Sequence, residues 1–270
     1  MVSLSEDFHQ HWAHENPRAV VALVHGLGEF CLRYDWAAKQ FVDHGYAVVS
    51  RDLPGHGPNA NPRGHIDKFD EFLDALDAIL NRAQTLYPAK PVILFGHSMG
   101  GLIIVRYTQT RPLPEYVKAV VLSSPSLQTS IPVSPATVKF ARMLARVWPT
   151  FRQSNRIAPD AVSRSEEVRD FYRSNKDILH KMSIKFLLEF LDAMDASIVA
   201  STQTQVPVLT MQAGQDKLVS IDATTKFHET LSAPDKTFKL YPPCHHELLN
   251  EPEREEILSD IVTWLDSRGL

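Results

Sequence analysis

Cysteine is scarce: 270 residues hold only Cys31 and Cys244, far apart and without the C-x-x-C spacing of a zinc or redox pair, so unpaired thiols in a reducing compartment are expected. Net charge is scarce as well. The 28 Lys and Arg nearly balance 32 Asp and Glu, with no long block of one sign, which argues against nucleic acid as a partner, since such binders carry a basic surplus. No apolar run approaches the ~20 residues that span a bilayer, and MVSLSEDFHQHW lacks a basic start followed by an apolar stretch. A soluble, cytoplasmic protein is therefore expected. Neither a P-loop nor a dinucleotide fingerprint occurs, so no cofactor is implied. His56 and His65 sit in polar turns without companions at ligand spacing, so no metal is expected and local hydrogen bonding is their assigned role. Internal repeats and low-complexity tracts are absent, and the oligomeric state is not legible.

What the chain does have is apolar content, 44 % of its residues, enough for one α/β domain with a large core and room for an insertion. Short β-branched runs alternate with helical patterns, as in a mostly parallel sheet flanked by helices. The strand candidates are Ala19–His25, Tyr46–Asp52, Val92–Gly96, Ala119–Ser123, Val208–Ala213 and Thr237–Tyr241. Helices are expected over Leu32–His44, Phe69–Tyr87, Met99–Thr110, Ile221–Leu231 and Glu253–Ser267, with Phe69, Phe72, Leu73, Leu76, Ile79 and Leu80 forming a core-facing stripe. The alternation stops between about 125 and 206. An interval that long with helical patterns of its own reads as a helical cap inserted into a single domain spanning 1–270.

The sharpest signal is Gly96-His97-Ser98-Met99-Gly100, placed after the strand PVILF and before the helical run GLIIVRY. That G-x-S-x-G context is the nucleophile elbow of α/β-hydrolases, where a tight strand-to-helix turn exposes a strained serine and leaves no room for flanking side chains. The competing reading is a plain glycine turn. A random chain of this length would contain the pentapeptide only ~0.03 times before strand and helix are required around it, which favours the elbow.

A serine hydroxyl needs a base to take its proton and a third group to orient that base. In the elbow fold the acid follows a late strand and the histidine the last one. Asp216 lies in the first of those loops, with Asp222 as its competitor; Asp222 reads better as a helix start or cap. The second loop offers both His245 and His246, and local chemistry does not separate them: one is the base, the other a neighbour that packs or hydrogen-bonds. For the oxyanion, backbone N–H groups are expected from Met99, next to the nucleophile, and from Leu27 in the glycine turn His25-Gly26-Leu27-Gly28.

With these residues in place, the chain resembles the monoacylglycerol lipase and lysophospholipase group of the α/β-hydrolases. The likeness runs through HGLGEFCLRY at 25–34, DLPGHG at 52–57, PRGHIDKFDEFLDAL at 62–76, GHSMGGL at 96–102, VLSSPSL at 121–127 and HELLNEP at 246–252. It implies that His246, followed by the Asn-Glu-Pro-like stretch, is the base. It also implies that Glu29 and Arg33 help order the oxyanion loop and the polar end of the substrate pocket, against the alternative of a surface ion pair at a helix start. The chain departs from the group at Phe30, Leu32, Gln212-Ala213 and His245, none of which is a triad residue.

Within the cap, Met182–Leu191 is apolar around much of its circumference and must be covered on both sides. Ala136–Trp148 mixes Val138, Met143, Leu144, Val147 and Trp148 with Lys139, Arg142 and Arg146. It reads as a cap helix packed on the body with its basic face in water, in preference to a helix making transient contact with a membrane surface. The expected activity is hydrolysis of a small-molecule lipid ester, monoacylglycerol first. Lysophospholipase and general carboxylesterase or thioesterase are the enzymatic alternatives, and a non-catalytic binding protein on the same scaffold is the alternative of another class.

Overall fold

The computed structural model describes residues 9–199 and 204–270; most of the N-terminal stretch and a short part of the expected cap interval lie outside them. Seven strands form the main sheet: β1 (His9–Trp12), β2 (Ala19–Val24), β3 (Tyr46–Arg51), β4 (Val92–His97), β5 (Val117–Ser123), β8 (Val208–Ala213) and β9 (Lys236–Tyr241), in the order β1-β3-β2-β4-β5-β8-β9. All pairings are parallel except β1 with β3. Between β5 and β8 lie a two-stranded ribbon, β6 (Arg152–Ser154) with β7 (Lys181–Ser183), and four of the helices.

The uninterrupted apolar strands follow from burial on both faces. In β2 all six residues are buried, and alternation divides them: Val20, Ala22 and Val24 join one core, while Ala19, Val21 and Leu23 join the other. The first core is closed by α2 (Asp70–Leu86) and α3 (Met99–Thr110), the second by α1 (Asp35–Asp43) and α9 (Arg254–Asp266). Along α2 the expected stripe is buried at Phe72, Leu73, Leu76, Ile79 and Leu80, each such side chain contributing about 1.5–3 kcal/mol. The Glu71 carboxylate starts this helix by accepting the N–H groups of Asp67 and Lys68 at 2.7 and 3.0 Å.

Several boundaries differ from expectation. β1 is not foreshadowed, because HQHW is three half-exposed residues and the exposed His11 on a sheet edge and carries no apolar pattern. The Leu32–His44 helix begins as a 3-10 turn over Cys31–Tyr34 before α1. The Met182–Leu191 pattern is split: Met182 and Ser183 pair with β6, and α7 (Ile184–Val199) starts where Ser183 Oγ accepts the Phe186 N–H at 3.1 Å. Its two-sided apolar surface is covered as expected. Phe186, Phe190 and Met194 enter the first core, while Ile184 and Leu188 pack on Ala141 of α4 (Pro135–Val147).

Two more elements complete this region, α5 (Pro159–Val162) and α6 (Glu166–Ser174). Cys31 and Cys244 are free and buried. Among the described residues, no helix is long and apolar enough to cross a membrane.

Candidate active site

Ser98 occupies the turn between β4 and α3 with φ +52° and ψ −117°, a backbone state that side-chain-bearing residues avoid. Its N–H is held by the Ser123 carbonyl at 2.9 Å and its carbonyl accepts the Leu102 N–H at 3.1 Å. The flanking glycines are dictated by contact. A Cβ on Gly96 would sit 2.6 Å from both the Gly100 carbonyl oxygen and Ile104 Cδ1, and one on Gly100 would collide with the carbonyl oxygens of Val24 and His25. The first turn of α3 thus lies directly against the end of β2.

The loops after β8 and β9 bring the other two residues to this elbow. Ser98 Oγ lies 2.8 Å from His246 Nε2, and His246 Nδ1 lies 2.7 Å from Asp216 Oδ2. Asp216 Oδ1 accepts the N–H groups of Leu218 and Val219 at 2.9 and 3.0 Å, which fixes the carboxylate plane. Burial alone would raise the Asp216 pKa, but the His246 ring and these two N–H groups outweigh it and hold the group below its ordinary value. For His246 burial opposes protonation, yet the adjacent Asp216 charge prevails and raises the pKa. A neutral His246 carries its proton on Nδ1, facing Asp216, so Nε2 is the acceptor of the Ser98 hydroxyl. Asp222 does not cap the helix α8 (Ile221–Thr230): Ser220 Oγ does, accepting the Ala223 N–H at 3.2 Å, with Asp222 in the first turn. His245 is set aside from Ser98, its backbone N–H bound to Glu251 Oε2 at 2.9 Å.

The glycine turn after β2 is pinned through His25. Its Nε2 accepts the Leu53 N–H at 3.0 Å, so Nδ1 must donate, and it does so to the Gly26 carbonyl at 2.8 Å. Because the peptide unit is planar and trans, holding the Gly26 oxygen also fixes the opposite direction of the Leu27 N–H. Met99 opens α3, where the helix itself offers no carbonyl to its N–H.

Glu29 and Arg33 are not a surface pair. Both side chains are only 3 % exposed, and the Arg33 guanidinium lies 3.2 Å from Glu29 while donating in bidentate fashion to Glu247 at 2.8 and 2.7 Å. One cation therefore serves two buried carboxylates. Glu247 wins it: burial would raise its pKa, but Arg33 brings it below the ordinary value. Glu29 loses: burial and then the Glu247 charge push it up to about 7, against the pull of Arg33. Glu29 Oε1 accepts the Gly26 N–H at 3.2 Å and faces His97 Nε2 at 3.7 Å. His97 itself donates from Nδ1 to the Ser123 carbonyl at 3.1 Å, and burial lowers its pKa to about 3.

Glu247, His97, Gln212 and Ser126 carry no role in the sequence reading. Gln212 Nε2 donates to Asp216 Oδ2 at 3.2 Å, and Ser126 Oγ lies 2.9 Å from Ser98 Oγ. Glu247 was detectable in principle as an acid beside the histidines. His56, placed in a polar turn from sequence, is fully buried against Phe72 and Phe186; burial lowers its pKa to about 4, while Nδ1 meets the Pro54 carbonyl at 2.9 Å. His65 bonds Ser183 Oγ at 2.8 Å. Among the described residues, two clusters have ligand-like spacing, Glu29/His97/Glu247 and Cys244/Glu251/Glu253. Arg33 is paired with both glutamates of the first, and Arg164 with both glutamates of the second.

Above Ser98 lies a cavity of about 480 Å³, walled by Leu27, Leu187, Phe190, Leu191, Met194 and Val219. A shallower, more open cleft near Ala89, Tyr116 and Arg268 is at the opposite ends of the strands and away from this chemistry. A serine hydroxyl bonded to an oriented imidazole at the floor of an apolar cavity can be deprotonated as it attacks an ester carbonyl.

Comparison with known proteins is consistent with this geometry. The model of the family described as serine aminopeptidase, S33, matches residues 15–253. The chain is 33 % identical to the phospholipase YtpA of Bacillus subtilis, covering 94 % of this chain and 98 % of that protein. It is 32 % identical to a monoacylglycerol lipase of Mycolicibacterium smegmatis, over 93 % of this chain and 89 % of the relative. Among solved structures, the monoacylglycerol lipase of Paleococcus ferrophilus superposes with a TM-score of 0.86 at 30 % identity, covering 96 % and 98 % of the two chains.

Proposed function

The chain belongs to the serine aminopeptidase S33 family, in the monoacylglycerol lipase and phospholipase group of the α/β-hydrolases, and from that premise we propose that it hydrolyses monoacylglycerol to a fatty acid and glycerol. It is a serine hydrolase. In the proposed cycle His246 takes the Ser98 proton as Oγ attacks the ester carbonyl, and Asp216 holds the imidazole tautomer and the imidazolium that forms. The N–H groups of Leu27 and Met99 receive the oxyanion. His246 then protonates the leaving glycerol, and water releases the fatty acid from the acyl-enzyme. Glu29 and Arg33 order the Leu27 loop, and the region around 125–206 acts as a cap that walls the acyl site.

The observation that carries this reading is the 2.8 Å contact of Ser98 Oγ with His246 Nε2 at the base of an apolar cavity. Ser98→Ala should abolish both hydrolysis of p-nitrophenyl butyrate and labelling by a fluorophosphonate; retained labelling refutes the assignment. Likeness to a phospholipase favours a second substrate reading, lysophospholipid. Parallel assays on monooleoylglycerol and lysophosphatidylcholine decide between them, a higher kcat/KM on the second overturning the first.

We also propose that the protein works peripherally at lipid surfaces in the cytoplasm. α4 packs inward by a narrow stripe at Ala141, so the purely packed reading leaves Phe140, Met143, Val147 and Trp148 unexplained: all are exposed, beside exposed Lys139 and Arg146. Apolar groups with flanking cations suit an anionic lipid surface.

A further inference from the structure

Ser126 touches the reacting oxygen although the triad has no need of it. It is 3 % exposed, lines the cavity and places Oγ 2.9 Å from Ser98 Oγ. The end of β5 is shaped to hold it there. Ser124 adopts φ +42°, with its N–H on the Met211 carbonyl at 2.8 Å and its Oγ accepting the Ala213 N–H at 3.3 Å. Pro125 presses on the first turn of α3 so closely that a Cβ on Gly101 would approach its Cβ to 2.8 Å. The Ser126 N–H donates to the Ser98 carbonyl at 3.0 Å. A strained backbone fixed by this many contacts points to a placed side chain.

The direction of the hydroxyl bond follows from the triad. His246 Nε2 takes the Ser98 hydrogen, so Ser98 Oγ is the acceptor from Ser126, which occupies one lone pair and leaves the other for a carbonyl. We propose that Ser126 is a catalytic hydrogen-bond donor that assists departure of Ser98 Oγ when the acyl-enzyme is hydrolysed. This rests on the assignment of Ser98 as nucleophile. In that step water gives its proton to His246 Nε2 and its oxygen bonds to the carbonyl carbon. The C–Oγ bond then breaks with its electron pair going to Oγ, which recovers the proton from His246; Ser126 transfers none. In the acyl-enzyme Oγ is an ester oxygen and a weak acceptor, and it gains negative charge only as it leaves. The Ser126 bond therefore strengthens between ground and transition state in deacylation. In acylation the same bond is already present to the free hydroxyl, and its loss is felt in both states.

The test is Ser126→Ala on p-nitrophenyl butyrate, with fluorophosphonate labelling as a measure of acylation alone. A hydrogen bond to a charge-bearing oxygen corresponds to at least about a tenfold rate effect. kcat should fall by that factor and KM with it, while kcat/KM and the labelling rate stay within about threefold and intact mass spectrometry shows accumulated butyryl-enzyme. Ser126→Cys, of similar volume but a weaker donor, should show the same split and serves if the alanine variant does not fold. An unchanged kcat overturns the proposal. So does a parallel loss of kcat and labelling, or a fall in kcat without accumulated acyl-enzyme. If Ser98→Ala retains labelling, the nucleophile assignment itself fails; if it is silent and the Ser126 variants show no split, only the role of Ser126 fails.

Discussion

Glu29→Gln should stabilise the protein at alkaline pH and leave it nearly unchanged at acid pH. Arg33 has one bidentate fork, and Glu247 takes it at 2.8 and 2.7 Å, leaving Glu29 buried with a single 3.2 Å approach to the guanidinium. Its carboxyl is pushed from an ordinary 4.5 up to about 7 by burial and by the Glu247 charge. The folded state therefore holds this proton more tightly than the unfolded chain does. The stabilising effect of the proton is complete below pH 4.5 and is lost as pH rises through about 7. At about 1.36 kcal/mol per pH unit the interval amounts to at most about 3 kcal/mol, because the two carboxylates titrate as a pair. The substituted amide is neutral throughout, and its carbonyl can still accept the Gly26 N–H. Urea unfolding of both proteins at pH 5 and pH 8.5 reads the effect, since background titrations cancel in the difference. A stability difference that does not grow by at least ~1 kcal/mol between the two pH values refutes the assignment of the proton to Glu29.

Removing the cation should act in the opposite sense. Arg33→Met leaves Glu247 and Glu29 facing each other in the interior and should cost about 3–5 kcal/mol in urea unfolding at pH 8.5, with partial recovery on adding Glu247→Gln. The pH–rate profile of kcat/KM should fall on the acid side with a midpoint above the 6.5 of free imidazole, because the Asp216 charge raises His246 and a protonated ring cannot accept from Ser98. Asp216→Asn should lower that midpoint and reduce kcat by on the order of 10⁴-fold, measured with p-nitrophenyl butyrate. Replacing Met143 and Trp148 together by Ser should weaken binding to phosphatidylglycerol vesicles at least about tenfold in a flotation assay while leaving turnover of the soluble ester intact; unchanged flotation removes α4 as the lipid contact.

The parts of the fold and site legible in the sequence are those where geometry narrows the choice of residue. Gly96 and Gly100 are required by carbonyl groups within collision range, so the elbow is written in residue types. The parallel strands are legible because burial on both faces leaves a continuous apolar run, and α4 because apolar residues recur among cations over Ala136–Trp148, although its Ser134 cap and Pro135 start were not read. Ser126 was not legible: serine at the end of a strand has many uses, and only the φ of Ser124 and the contact at Gly101 turn it toward Ser98. β1 was invisible for a related reason, since its four residues are specified by pairing with β3 and by the bond of Trp12 Nε1 to Asp35 at 2.9 Å, not by any pattern of their own.

Glu29 and Arg33 were named from the sequence, but the bridge from Arg33 to Glu247 was not, because both its cost and its use are long-range. Burying three ionisable groups is expensive, and well-packed apolar residues of the same volume would often be at least as stable. Position explains what the cluster contributes. Glu29 holds the Gly26 N–H of the loop after β2, whereas Glu247 follows His246 in the loop after β9, and Arg33, 214 residues from Glu247 along the chain, joins the two. A planar fork accepts a carboxylate in one orientation, so the pairing fixes both separation and angle, which an apolar contact would leave to slide. Backbone N–H donors are useful to a developing oxyanion only if they are held within a fraction of an ångström relative to the base. The arginine thus converts a costly burial into a fixed distance between the Leu27 turn and the His246 ring.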